Sequence, residues 1–112
     1  MCLFCQIAKK EIPAKILFED DDLVAFSDIH PAAPTHALVI PRRHLISLNE
    51  AVPGDAELLG KLLLAAQRVA RETKISDLGW RALINNGAHA GQSVFHVHVH
   101  VLGGRSMAWP PG

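Results

Sequence analysis

The stretch His96-Val97-His98-Val99-His100-Val101-Leu102 alternates imidazole and aliphatic side chains. Successive side chains of a strand point to opposite faces, so this spacing predicts a strand with three imidazoles on one face and the valines on the other. An exposed polar face would be served equally well by Thr, Ser or Lys. Histidine is the side chain whose charge changes near neutral pH and which can act as base, acid, nucleophile or metal ligand. The stretch therefore predicts a strand with a core side and a chemical side.

Working outward, Trp80 to Asn85 reads as a strand, and the loop Asn86 to Gln92 carries Gly87 and Gly91 before a last strand over 94–102. Further upstream, Pro53-Gly54-Asp55 announces a helix with Asp55 at its N-cap, and Leu58, Leu59, Leu62, Ala66 and Val69 recur at spacings of three and four up to about Thr73. Leu63, Leu64 and Ala65 widen that apolar face, which suits either core burial or a subunit interface. Near the start, 15–19 and 23–29 form a hairpin around Asp20-Asp21-Asp22. The loop His30-Pro31-Ala32-Ala33-Pro34 is stiffened by two prolines and leads to a strand over 36–40 that Pro41 ends. Five short strands and one main helix predict an α+β fold with a mostly antiparallel meander.

Composition narrows the function. At 112 residues the chain is expected to form one domain, 1–112, small enough to gain from pairing. Lys+Arg and Asp+Glu number 11 each, so the formal charge is zero and no overall field draws in nucleic acid or an anionic membrane. A small ligand is the better expectation. The polar residues after Met1-Cys2-Leu3-Phe4-Cys5, and the lack of any run near the ~20 apolar residues of a membrane span, predict a cytoplasmic protein. Without a P-loop pattern, a kinase or an NTP-driven switch is disfavoured.

Three same-face imidazoles have two uses. Same-face neighbours stand roughly 6.6 Å apart along a strand, whereas Zn–N bonds are about 2.0–2.1 Å, so the whole set cannot share one zinc. The alternative is nucleophilic catalysis by one imidazole while its neighbours fix the tautomer and move the proton. Gly87, Gly91, Gln92 and Ser93, just before the strand, let backbone approach a ligand and offer donors suited to phosphate.

His96 to Leu102, preceded by Gly91-Gln92-Ser93-Val94, resembles the histidine triad family signature, His-φ-His-φ-His-φ-φ with φ apolar. The resemblance extends through Glu11-Ile12-Pro13-Ala14-Lys15, Phe26-Ser27-Asp28-Ile29, Pro34-Thr35-His36-Ala37-Leu38-Val39-Ile40-Pro41, Gly103-Gly104-Arg105 and Trp109-Pro110-Pro111-Gly112. It points to the nucleotide-binding branch, the purine nucleoside phosphoramidases. It implies a short N-terminal helix, two sheets joined across a homodimer, and a nucleotide site in each subunit. It further implies that His98 attacks the α-phosphorus of a purine nucleoside 5′-phosphoramidate, with no cofactor required. His36 and His100 would orient His98 and assist proton movement. Ser93, Asn85 and Gly91, with Gln92 and Val94 beside them, would hold the phosphate, and Asp28 the ribose hydroxyls. Phe4, Ile7, Phe26 and Ile29 would wall the base, with Trp109 close by from the same or the neighbouring subunit.

Cys2-x-x-Cys5 suits a pair of zinc thiolates, and some bacterial relatives resemble this chain in joining such a pair to a histidine after Pro-Arg-Arg, here His44, and to the first triad histidine, His96. That resemblance implies a structural zinc. Taken as residues alone, the thiols equally suit plain burial, while a redox pair lacks its usual strand-then-helix setting. His30 and His89 are expected to be solvent-facing loop residues, and Lys9-Lys10 and Arg42-Arg43 solvated charges, with Arg42 or Arg43 available to attract a nucleotide. Two other functions remain compatible with the residues: a dinucleoside-polyphosphate hydrolase or nucleotidyltransferase, and a non-catalytic nucleotide-binding scaffold.

Overall fold

The computed structural model describes residues 2–112. Its strands are β1 (Ile16–Glu19), β2 (Leu23–Ser27), β3 (Thr35–Pro41), β4 (Arg81–Leu83) and β5 (Val99–Gly103), and its helices are α1 (Leu3–Ala8) and α2 (Ala56–Glu72). Every neighbouring pair is antiparallel, in the order β1-β2-β3-β5-β4. The first three strands form the expected meander. After α2 the chain enters at the sheet's far edge as β4 and folds back as β5 into the place between β3 and β4. An interior strand must bury both faces: Val99 and Val101 are fully buried, whereas Ala82 of β4 is exposed.

Both sides of the sheet are covered, which explains why alternation is imperfect in the first hairpin. On one side Leu23, Ala25, Ala37, Val39, Val99 and Val101 pack against Leu62, Ala65, Ala66, Val69 and Ala70 of α2. On the other, Val24, Phe26, Leu38 and Ile40 pack against Phe4, Ile7 and Ala8 of α1. The last strand is shorter than the expected 94–102. Residues 94–98 leave the ladder, and the Val97 N–H donates to the Leu45 carbonyl at 2.6 Å. The alternation of sides nevertheless continues, since Val97 joins the α2-side core while His96 and His98 contact Phe4.

Asp55 occupies the expected N-cap of α2, but its carboxylate turns backwards. It accepts from the Val52 N–H at 2.9 Å and from Arg43 at 2.6 Å, pinning the turn that launches the helix. At the other end, the Thr73 hydroxyl donates to the Val69 carbonyl at 2.7 Å, and Lys74 adopts φ 64°, reversing the chain so that Ile75 returns to the core. Gly103 is required there, because a Cβ would lie 2.6 Å from Ile75 Cδ1.

The expectation that Arg42 and Arg43 are free surface charges is corrected. Arg42 donates to the Ala8 carbonyl at 2.7 Å, the Asp20 carbonyl at 2.7 Å and Glu19 at 2.9 Å, tying the end of α1 to the first hairpin. Five directed donors on one planar group make arginine suited to such a junction. Among the described residues no helix is long and apolar enough to cross a membrane.

Candidate functional site

The α1 side of β3 and β5 carries the chemistry. His100 lies opposite Leu38 and His36 opposite Leu102, so the two imidazoles are diagonal neighbours on one face, with His36 Nε2 and His100 Nδ1 2.9 Å apart. Backbone groups fix the tautomers, because an N–H can only donate and a carbonyl can only accept. The Ala32 N–H donates to His36 Nδ1 at 2.9 Å, which puts the His36 proton on Nε2. That proton points at His100 Nδ1, leaving the His100 proton on Nε2. His98 Nδ1 donates to the His96 carbonyl at 2.7 Å, so His98 Nε2 carries a bare lone pair. The arrangement presents one nucleophilic nitrogen beside one proton donor, with the His98 and His100 ring centroids 4.8 Å apart.

Burial holds these imidazoles neutral. His36 and His98 are pushed below their ordinary pKa by loss of solvent, and His100 falls to about 4 from burial and from the neighbouring His98 and His36. Asp28 opposes the shift at His36, with Oδ2 3.4 Å from Nε2. Its other oxygen accepts from the His30 N–H at 2.8 Å and sets the following loop.

A cavity of ≈ 280 Å³ opens in front of His98 and His100. Phe4, Ile7, Phe26, Ile29 and Val94 line it together with Asp28 and Ser93, so these expected site residues converge. Phe4 stands edge-on to His98, centroids 5.0 Å apart, and joins the apolar wall to the reacting group. Asn85, Gly91, Gln92 and Trp109 are not among its lining residues. The Gln92 side chain is spent on its own loop, accepting from the Gly87 N–H at 2.8 Å and donating to the Ile46 carbonyl at 2.6 Å. Trp109 is 82% exposed, close to β4 through the bond from Arg81 to the Ala108 carbonyl at 2.9 Å. Leu3, Ile12, Pro13, Ala14, Ser27, His30 and Leu38 line the cavity without having been singled out as site residues. Leu38 was accessible from period-two spacing after His36. His30 is exposed as expected, but at this rim; His89 is exposed in the loop before Gly91 and is not a lining residue. The Ala32 N–H and the carbonyl of His96 act through backbone and leave no mark in side-chain identity.

Among the described residues, metal-binding donor types gather in two places: Asp28, His36 and His100, already linked as above, and Cys2, Cys5, His44 and His96. In the second group His96 Nδ1 lies 3.4 Å from Cys2 Sγ, 3.5 Å from Cys5 Sγ and 3.1 Å from His44 Nδ1, while Cys5 Sγ lies 3.4 Å from His44 Nδ1. Tetrahedral zinc with bonds of about 2.3 Å to sulfur and 2.0–2.1 Å to nitrogen separates its donors by roughly 3.3 Å between nitrogens and roughly 3.5 Å between nitrogen and sulfur. The donor set fits. His96 Nε2 donates to the Pro41 carbonyl at 2.8 Å, which leaves Nδ1 unprotonated and aimed at the other three donors. Partial burial raises the Cys5 pKa, and Cys2 adds to the effect. The His96 ring is fully buried and belongs to this group, so the triad divides: one imidazole joins the cysteines and two face the cavity.

The HIT domain family matches residues 9–107. An uncharacterised HIT-like protein of Synechocystis sp. is 52% identical over 110 residues, covering 98% of this chain and 96% of that protein. Among solved structures, a HIT family hydrolase from Legionella pneumophila superposes with a TM-score of 0.98 at 47% identity over 100% of both chains. A Zn-bound histidine triad family protein from Mycobacterium smegmatis gives a TM-score of 0.81 at 35% identity, covering 94% of this chain and 76% of that one.

Proposed function

The chain belongs to the HIT domain family, and from that membership we propose that it is a nucleotide hydrolase that cleaves the P–N bond of purine nucleoside 5′-phosphoramidates. The observation that carries this reading is the tautomer chain, which leaves His98 Nε2 bare and His100 Nε2 protonated at the mouth of one cavity. His98 Nε2 attacks the α-phosphorus, forming a P–N bond to imidazole as the bond to the amine breaks. The departing amine takes the His100 Nε2 proton, solvent in the cavity replaces it, and the His36 Nε2–H, 2.9 Å from His100 Nδ1, holds His100 in the tautomer that donates. Water then cleaves the nucleotidyl-imidazole, releasing nucleoside monophosphate and returning a proton to solvent. Neutral imidazoles suit both steps, since a protonated His98 is no nucleophile. Ser93 stabilises the charged phosphoryl oxygens, Asp28 accepts from the ribose hydroxyls, and Phe4, Ile7, Phe26 and Ile29 hold the base.

Cys2, Cys5, His44 and His96 hold a structural zinc in this reading, supported by their spacing and by the zinc in the Mycobacterium smegmatis structure. Four protein ligands close the coordination sphere, so the metal supplies cross-linking and no open position for chemistry. The protein works as a homodimer. Supporting this, Leu63 and Leu64 on the outer face of α2 are 54% and 66% exposed, and β4 ends the sheet with an open edge that a second copy can extend.

The test is amine release from an adenosine 5′-phosphoramidate by wild type and His98→Ala, with mass spectrometry of the quenched wild-type reaction. Turnover lost in the variant and a labile adenylyl adduct on wild type are expected. AMP binding without turnover by the wild type would refute phosphoramidase chemistry and favour a polyphosphate substrate or a binding role.

A further inference from the structure

His96 belongs to two constellations at once. Its ring lies among the cysteines and His44, and its carbonyl accepts the Nδ1 proton of His98 at 2.7 Å, the bond that turns His98 Nε2 towards the cavity. The ring is anchored at both nitrogens: Nε2 donates to the Pro41 carbonyl, and Nδ1 faces the other three donors of the cluster. The second contact on His98 leads to the same cluster. Phe4, edge-on to His98 at an interplanar angle of 88°, sits in α1 between Cys2 and Cys5. A helix of 6 residues is far too short to persist alone, so its place depends on what fastens it to the sheet.

We propose that His96 is a positioning residue through which the Cys2-Cys5-His44-His96 cluster, when it holds zinc, sets the orientation of His98. The proposal rests on the reading of His98 as nucleophile and deepens it: the metal site regulates the alignment of the reacting nitrogen without touching substrate. Zinc fixes the His96 ring, the ring fixes the backbone at 96, and the carbonyl there fixes the His98 tautomer and rotamer. Bound zinc would also hold α1, and with it the Phe4 ring against the same imidazole.

His44 offers the cleanest perturbation, because it is an exposed member of the cluster, belongs to neither α1 nor the histidine strand, and does not line the nucleotide cavity. Wild type and His44→Ala are compared for bound zinc, for the His98 Nδ1–H resonance in imidazole-labelled protein, for AMP affinity and for the single-turnover rate on an adenosine 5′-phosphoramidate. Loss of zinc is expected to broaden or abolish the His98 resonance and to slow the chemical step by roughly 10- to 100-fold, the scale for a misplaced reacting group, with AMP affinity retained. Cys5→His in the otherwise wild-type chain, which keeps four ligands, should retain both signal and rate. If His44→Ala retains zinc, Cys2→Ser/Cys5→Ser makes the same comparison. A zinc-free variant that keeps the resonance and the rate overturns the proposal, as does a wild type that binds no zinc. The resonance and the AMP affinity need no turnover. A wild type whose His98 signal follows zinc but which releases no amine therefore sinks the phosphoramidase reading and leaves the coupling standing.

Discussion

On the α2 side of the sheet, Val99, Val101 and Leu62 are fully buried in a dry aliphatic layer, while on the α1 side His98 and His100, from the same stretch of chain, face a cavity. The difference lies in what covers each face. α2 spans 17 residues and presents a small, close-fitting surface of alanine, valine and leucine; α1 spans 6 and covers only part of its side. The gap left by the shorter helix is where the cavity opens, lined by Phe4 and Ile7 and by His98 and His100. One strand can serve both demands because alternate side chains never share a face.

The comparison can be broken at either face. The largest expected effect is on the chemical side: His98→Ala should lower phosphoramidate turnover by about 10⁴-fold or more, as for loss of a nucleophile, while AMP binding persists by calorimetry. On the core side, Leu62→Ala should cost about 2–5 kcal/mol in denaturant unfolding and leave kcat of the folded protein unchanged. If Leu62→Ala altered kcat strongly, the two faces would not be independent. A smaller loss, about 1–3 kcal/mol, is expected for Gly103→Ala, because the added methyl meets Ile75.

The gentlest test is titration. The folded-state pKa of His100 lies near 4 and those of His36 and His98 are also depressed, all chiefly by burial, below an unfolded value near 6.5. Between these limits the unfolded chain binds more protons, so the stability these groups contribute is complete above pH 6.5 and is lost as pH falls towards 4. Unfolding free energies measured at pH 7 and pH 5 should show this decline, with a shallower slope in His100→Gln. An unchanged slope in that variant would mean that the acid sensitivity arises elsewhere.

Much of this was legible in the chain. Period-two histidines mark the functional strand, and apolar residues three and four apart mark α2, because side-chain direction follows local backbone geometry. The glycine-bearing loop Asn86 to Gln92 was legible, but the role of Gln92 was not: its amide is consumed by Gly87 and Ile46, the latter distant in sequence. Arg42 and Arg43 looked like solvated charges because their acceptors, among them the Ala8 carbonyl and Asp55, are brought close only by folding. Likewise, nothing local puts β5 inside β4.

The sequence by itself determined the family, the two-faced strand and the identity of the groups able to do chemistry, since these depend on residue type and short-range periodicity. Only the tertiary structure decided which imidazole nitrogen is bare, and it brought His96 to the cysteines with which the resemblance had grouped it. Local backbone geometry supplies the Ala32 N–H on His36 and the His96 carbonyl on His98, while distant segments bring the Pro41 carbonyl and the sulfurs of Cys2 and Cys5 to the His96 ring. A proton's place on imidazole is set by the partner of the other nitrogen, and that partner is supplied by the fold.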